Sequence, residues 1–140
     1  MTPFIARIVE QGCPTTYIDT KFFDITTALS KAHSGTIIVV DKNKKVLGIL
    51  SERDIVRYLS KRKAVAECTA KDLMTANVIS ADQHVTSAGL MELMVRNNIR
   101  HVPIIDGDKL LGLVSITDVI KRLLEKQQIE TELMKEFINS

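Results

Sequence analysis

VLGILSERD at residues 46–54 and LLGLVSITD at residues 110–118 are two versions of one pattern in a chain of 140 residues. The glycine, the serine and the aspartate each recur with an offset of 64 residues. An offset of nearly half the chain indicates an internal duplication. We therefore expect two related halves, and a function performed twice or across a pseudo-twofold axis.

Both halves are predicted to contain the same order of elements, which is strand, helix, strand, strand, helix. A β-branched apolar run, a polar turn and a second apolar run predict a hairpin, and the serine of the pattern starts the helix that follows. The fold class is therefore α/β of the α+β type, with two tandem β-α-β-β-α repeats packed with pseudo-twofold symmetry. In the first half, the strand, helix, strand, strand and helix are predicted at 16–18, 24–32, 36–40, 46–50 and 51–59. In the second half, the same elements are predicted at 77–80, 85–97, 101–105 and 109–114, with the last helix starting at 115.

The two halves are not predicted to be equal copies. Tyr17 and Asp41 are separated by 24 residues, whereas Val78 and Asp106 are separated by 28, so the first repeat is expected to lack about one helical turn. The apolar stripe after residue 115 changes phase near Gln127, which predicts a bend or a second helix. The expected organisation is repeat 1 at 1–64, repeat 2 at 65–126 and a helical tail at 127–140.

Composition limits the classes of function. Residues 1–64 carry a charge of +5 and residues 65–140 carry −3, but aromatic residues make up only 4% of the chain. Short lysine clusters are usually solvated and no aromatic stacking platform is encoded, so nucleic-acid binding is not expected. No apolar run reaches the 18 to 20 residues of a membrane span, and no leader peptide is recognisable, so a cytoplasmic protein is expected. Cys13 and Cys68 are predicted to be free thiols, with no metal site.

The duplicated Ser-x-x-Asp element has two interpretations. A phosphate would fit the free backbone N–H groups at a helix N-terminus, and the nearby carboxylate would accept hydrogen bonds from a ribose diol, which together indicate a nucleotide. The same four residues also form a helix cap, and Thr69 with Asp72 matches the pattern without a preceding glycine. Aspartate in place of the usual Glu or Gln favours the ligand interpretation, as does the additional hydroxyl of Thr117.

Taken together, these motifs resemble a tandem pair of CBS domains, a stand-alone Bateman module, over roughly residues 5 to 125. The resemblance rests on GILSERD at 48–54, GLVSITD at 112–118, DLMT at 72–75 and IRHVPIID at 99–106. It implies two α/β halves packed sheet to sheet, flat homodimers, and adenosine ligands in the clefts between the halves. The ligands of this family include AMP, which we expect first, and ADP, ATP, NADH and S-adenosylmethionine.

The resemblance also implies roles for individual residues. Ser115, Thr117 and Asp118 would form one site, and Ser51 with Asp54 the other. Further candidates are two phosphate-binding residues on a strand, a third cation, and apolar residues around adenine. Arg100 and His101 are the two residues on the strand, Arg53 is the third cation, and the apolar residues are Tyr17, Ile18, Val78, Ile79 and Pro103.

The first repeat has Gly35 and Thr36 where the second has Arg100 and His101. We therefore expect one good site around Asp118 and one altered or empty site around Asp54. No nucleophile, metal cluster or glycine-rich phosphate loop is encoded, so the chain is expected to be a regulatory module and not an enzyme, without a catalytic cofactor. Its ligand would act by shifting populations that a client protein reads. The alternative is a ligand-free dimerisation or protein-interaction module.

Overall fold

The computed structural model describes residues 1–139 and has the α+β fold expected from the sequence. The first half has the predicted order of elements, the second half has it except for its first strand, and two further short helices are present. In chain order the elements are α1 Pro3–Glu10, β1 Thr15–Tyr17, α2 Phe22–Lys31, β2 Thr36–Val40, β3 Val46–Ser51, α3 Glu52–Ser60, α4 Ala70–Leu73, α5 Ser87–Asn97, β4 His101–Asp106, β5 Lys109–Ser115 and α6 Ile116–Asn139.

Each half is built around one antiparallel hairpin. In the first half β2 pairs with β3, and β1 adds a parallel strand beside β2. In the second half β4 pairs with β5, and an isolated parallel bridge joins Ala81 to Ile104. The prediction of a strand at 77–80 is therefore wrong, because the residue that pairs with β4 is Ala81 and no strand forms around it.

The expected loss of a helical turn from the first half is not observed. Helix α2 has 10 residues and α5 has 11. Thr15 pairs with Ile38 and Ala81 pairs with Ile104, which is the same separation along the chain in both halves. The sequence comparison used Val78 as the counterpart of Tyr17, and this choice produced the apparent deletion.

Two short helices that the sequence analysis missed cover the hairpins. Helix α1 begins with Thr2 as N-cap, whose hydroxyl accepts a hydrogen bond from the N–H of Ile5 at 3.2 Å. Phe4, Ile5 and Ile8 of α1 are buried in the core of the second half. Helix α4 instead contributes Ala70 and Leu73 to the core of the first half.

The repeated glycines lie under these covering segments. A Cβ atom on Gly48 would lie 2.5 Å from Sδ of Met74, the residue that follows α4. A Cβ atom on Gly112 would lie 3.2 Å from Cγ2 of Ile8 in α1. Glycine at these positions thus lets a neighbouring segment approach the second strand of each hairpin, β3 or β5.

The two halves pack through the sheet faces that their own helices do not cover. Ile37 and Val39 of β2 enter the first core. Ile38 and Val40 point to the opposite face of the sheet and are also buried. An isolated antiparallel bridge joins Lys45 of the first hairpin to Lys109 of the second.

Helix α6 is continuous from Ile116 to Asn139, so the predicted bend or helix break near Gln127 is wrong. Gln127 and its neighbours are good helix formers, and a change in the phase of an apolar stripe does not itself interrupt backbone hydrogen bonds. All residues from Leu124 to Asn139 are exposed. Among residues 1–139, no helix combines the length and the apolar character needed to cross a bilayer.

Both cysteines are free. Cys68 is buried in the first core. Cys13 is half-buried, and its desolvation raises the thiol pKa to about 12. A thiol with such a pKa stays protonated at neutral pH and is a weak nucleophile.

Candidate functional site

The two hairpins meet at the residues that begin their first strands. Oγ1 of Thr36, at the start of β2, lies 3.3 Å from Nδ1 of His101, at the start of β4. Thr36 faces Ser51 in the first ladder, and His101 faces Ser115 in the second. Both serines of the duplicated pattern are therefore brought to the junction between the halves, on either side of the Thr36–His101 contact.

The second Ser-x-x-Asp element is closed into a compact box at the start of α6. Oδ2 of Asp118 accepts hydrogen bonds from the backbone N–H of Ser115 at 2.9 Å and from its hydroxyl at 2.9 Å. The N–H of Asp118 lies 3.2 Å from Oγ of Ser115 and donates to it. Within residues 1–139, Oδ1 of Asp118 accepts no hydrogen bond.

The same box recurs at two other helix starts. Oδ2 of Asp54 accepts from the N–H of Ser51 at 2.8 Å, and Oδ2 of Asp72 accepts from the N–H of Thr69 at 2.9 Å. Aspartate thus completes a capping box as readily as Glu or Gln, so its presence does not by itself favour a ligand. What distinguishes the two duplicated boxes from the one at Thr69 is their location at the junction.

Two basic residues accompany the second box. The N–H of Ile116 donates to the carbonyl oxygen of Arg100 at 2.8 Å, which ties the start of β4 to the start of α6. The Arg100 side chain is exposed and His101 is half-buried. Burial lowers the pKa of His101, while the Asp118 carboxylate raises it and the Arg100 guanidinium lowers it. Arg100, His101 and Asp118 therefore form one electrostatic unit.

The first box has different surroundings. The N–H of Glu52 donates to the carbonyl oxygen of Gly35 at 3.1 Å, so Gly35 occupies the position that Arg100 has in the second half. The Glu52 carboxyl lies over it, because a Cβ atom on Gly35 would be 2.9 Å from Cδ of Glu52. An acidic group thus replaces the two basic groups of the second box. Arg53 is exposed on the first turn of α3, as Thr117 is on the first turn of α6.

The comparisons with known proteins agree with this duplicated architecture. A family model of the CBS domain matches the chain twice, at residues 5–61 and 70–125. The chain belongs to the CBS-domain family. A 17.7 kDa protein of Acidianus ambivalens is 38% identical to it over 99 residues, which are 68% of this chain and 58% of that protein. The chain therefore spans little more than half the length of this curated relative.

Solved CBS-domain structures share the fold. A protein with CBS domains from Burkholderia ambifaria MC40-6 superposes with a TM-score of 0.77 at 27% identity, covering 87% of this chain and 94% of that one. The CBS domain pair of protein MJ0100 superposes with a TM-score of 0.76 at 25% identity, covering 88% of this chain and 96% of that one. That pair was solved in complex with 5′-methylthioadenosine and S-adenosyl-L-methionine.

Three of the five apolar candidates lie apart from the CBS cores. Pro103 is buried and, unlike Val102 and Ile104, belongs to neither core, which puts it on the face of the second sheet away from its own helices. Val78 and Ile79 are half-buried and also lie outside both cores. These residues are available to line a cleft between the repeats.

The other two apolar candidates do not lie at the serine end of their own repeat. Tyr17 pairs with Val40, at the opposite end of β2 from Thr36, which is about 13 Å along the strand. Ile18 packs against the first core, and its carbonyl oxygen accepts from the N–H of Lys71 at 3.1 Å. Neither is a counterpart of Val78 or Ile79, because Thr16 pairs with Val39 as Ala81 pairs with Ile104, and the register therefore equates Thr16 with Ala81.

Sequence reasoning missed the basic surface on the other side of Asp118. A cavity of about 160 Å³ lies between α1 and α6. Glu125 bridges two of its cations, at 3.6 Å from both Arg7 and Arg122. The lining residues are Phe4, Arg7, Ile8, Gln11, Asp118, Lys121, Arg122 and Glu125. Thr2-Pro3 followed by apolar residues 4, 5 and 8 was the available signal for α1.

Proposed function

We propose that this chain is a regulatory module that binds an adenosine nucleotide or a related adenosyl ligand in the cleft between its two CBS repeats. The observation that carries the proposal is the Asp118 box, which lies at the junction between the halves beside Arg100 and His101. The bound state would stabilise one relative orientation of the repeats, and a client protein would respond to it.

The chemistry of the Asp118 box suits a nucleoside. Oδ2 of Asp118 is occupied by Ser115, whereas Oδ1 is free to accept hydrogen bonds from a ribose diol. Arg100 supplies a fork of donors for a phosphate, and His101 supplies a second charge when it is protonated. Pro103, Val78 and Ile79 offer apolar surface for adenine. The ligands found on the MJ0100 pair belong to the same adenosyl class.

We further propose that each chain binds one ligand and that this ligand occupies the Asp118 site. The Asp54 site lacks the two basic groups and has the Glu52 carboxyl over Gly35, which would repel a phosphate. Arg53 is the one cation among the candidates for that site. Calorimetric titration with AMP is expected to give one binding event per chain, and two equal independent events would contradict this expectation.

The test compares Asp118→Asn with Asp72→Asn, because both residues close the same type of helix cap. Each variant should lose about 0.5–2 kcal/mol of stability as a cap. Calorimetry and thermal-shift measurements with AMP, ADP, ATP, NADH and S-adenosylmethionine should detect binding to the wild type and to Asp72→Asn but not to Asp118→Asn. Equal ligand affinity in both variants would show that Asp118 is not part of the ligand site.

A ligand-free interaction module is the second candidate function. It is favoured by the closed state of all three boxes, which satisfies the polar groups at each helix start without a ligand. If protein confirmed to be free of nucleotide shows no shift in melting temperature with any of the five ligands, the interaction module becomes the better interpretation.

A further inference from the structure

Thr36 and His101 occupy equivalent positions in the two repeats, and their side chains contact each other. Thr36 faces Ser51 in the first ladder, as His101 faces Ser115 in the second. Two equivalent residues can meet only close to the pseudo-twofold axis that relates the repeats. The contact therefore lies where the first repeat reaches the candidate site of the second.

The Thr36 hydroxyl is buried at this contact and depends on His101 for its hydrogen bond. Thr36 is 1% exposed. Its Oγ1 lies 3.3 Å from Nδ1 and 3.5 Å from Nε2 of His101, so it faces the edge of the ring that carries both nitrogens. Among residues 1–139, the His101 ring is the one hydrogen-bond partner of this hydroxyl. A buried polar group with a single partner is costly to leave unpaired.

The protonated form of His101 needs two hydrogen-bond acceptors. An imidazolium ring has two N–H donors, whereas the neutral ring has one. A phosphate bound beside Arg100 would favour the protonated ring and accept a hydrogen bond from one of its donors. The Thr36 hydroxyl can accept from the other donor, because a threonine hydroxyl is both a donor and an acceptor. Without this hydroxyl, the second donor would lose its acceptor.

We propose that Thr36 is a positioning residue for the Asp118 site, where its hydroxyl holds the His101 ring and accepts a hydrogen bond from the protonated ring when a phosphate is bound. This role rests on the proposed function, because it concerns the phosphate group of the same ligand. It also gives the first repeat a part in binding, although its own box lacks the basic groups. A basic side chain at position 36 would repel the protonated ring, whereas a neutral hydroxyl does not.

The experiment compares Thr36→Val with Thr16→Val in the full chain. Both substitutions remove a buried hydroxyl from the first sheet, and the Thr16 hydroxyl donates to Oγ1 of Thr20 at 2.8 Å. In calorimetric titrations, Thr36→Val should raise the dissociation constant of AMP by about tenfold or more and leave that of adenosine, which has no phosphate, unchanged. Thr36→Ser should restore the affinity for AMP, and Thr16→Val should bind both ligands as the wild type does. Equal losses of affinity for AMP and adenosine would overturn the proposal.

A double-mutant cycle with His101→Ala tests the contact itself, without and with ligand. In ligand-free protein, urea unfolding of Thr36→Val, His101→Ala and the double variant should give non-additive changes in stability, because the two side chains interact. In the His101→Ala background, Thr36→Val should cause no further loss of AMP affinity. Additive changes in stability, or a further loss of AMP affinity, would overturn the role of Thr36 and leave the ligand site intact. A non-additive cycle in a protein that binds neither AMP nor adenosine would instead overturn the proposed function and, with it, this role.

Discussion

His101 is the residue at which the two halves and the candidate site meet. It contacts Thr36 of the other half, faces Ser115 across the ladder and interacts with the Asp118 carboxylate. Its burial favours the neutral imidazole, whereas a bound phosphate would favour the charged one. The protonation state of the His101 side chain therefore depends on both its burial at the junction between the repeats and the proposed ligand.

The lowered pKa of His101 predicts a specific loss of stability in acid. The folded state binds a proton less readily than the unfolded state, in which the pKa is about 6.5, so the free energy of unfolding falls as the pH is lowered through and below that value. Urea unfolding between pH 7.5 and 5.5 should show a smaller decrease for His101→Asn than for the wild type. His33→Asn, at an exposed position, serves as control and should retain the full decrease. Identical pH profiles for the wild type and His101→Asn would contradict the prediction.

Among the elements, α1 has the position that the sequence least suggests. It lies at the start of the first repeat, yet three of its side chains complete the core of the second. Helix α4, at the start of the second repeat, covers the first in the same way. The helix at the start of each half therefore packs against the other half, so each core depends on residues from both halves.

Removing one side chain from α1 should destabilise the whole chain. Ile5 is fully buried, so Ile5→Ala is expected to lower the free energy of unfolding by about 2–5 kcal/mol. Val95→Ala, on the exposed side of α5, is the control and should change it by no more than about 0.5 kcal/mol. Denaturant unfolding monitored by circular dichroism measures both. A similarly small effect of Ile5→Ala would show that α1 does not pack against the second core.

At the scale of the whole molecule, this packing of α1 and α4 predicts that neither half folds alone. Fragment 1–64 would expose Phe4, Ile5 and Ile8, and fragment 65–140 would lack the helix that covers its hairpin. Neither fragment should show a cooperative thermal transition by circular dichroism, whereas an equimolar mixture should regain one. A cooperative transition of 65–140 on its own would contradict this prediction.

The parts of the fold that the sequence predicted well depend on interactions between near neighbours in the chain. The strand Thr36–Val40 was predicted at its observed bounds because a β-branched run ends there in a polar turn. The box of Ser115 and Asp118 joins residues only three positions apart, so its geometry follows from the helix start itself. The length of α6 was not predicted, because the change of phase at Gln127 was mistaken for a break.

The sequence by itself thus determined the duplication, the two hairpins and the capped helices that follow them. Only the tertiary structure decided that α1 packs in the second half, that Ala81 rather than Val78 pairs with the second hairpin, and that Thr36 contacts His101. Local propensities and periodicities are set within about a turn of helix or a few residues of strand. Contacts between distant segments depend instead on which apolar faces remain to be buried once those elements have formed.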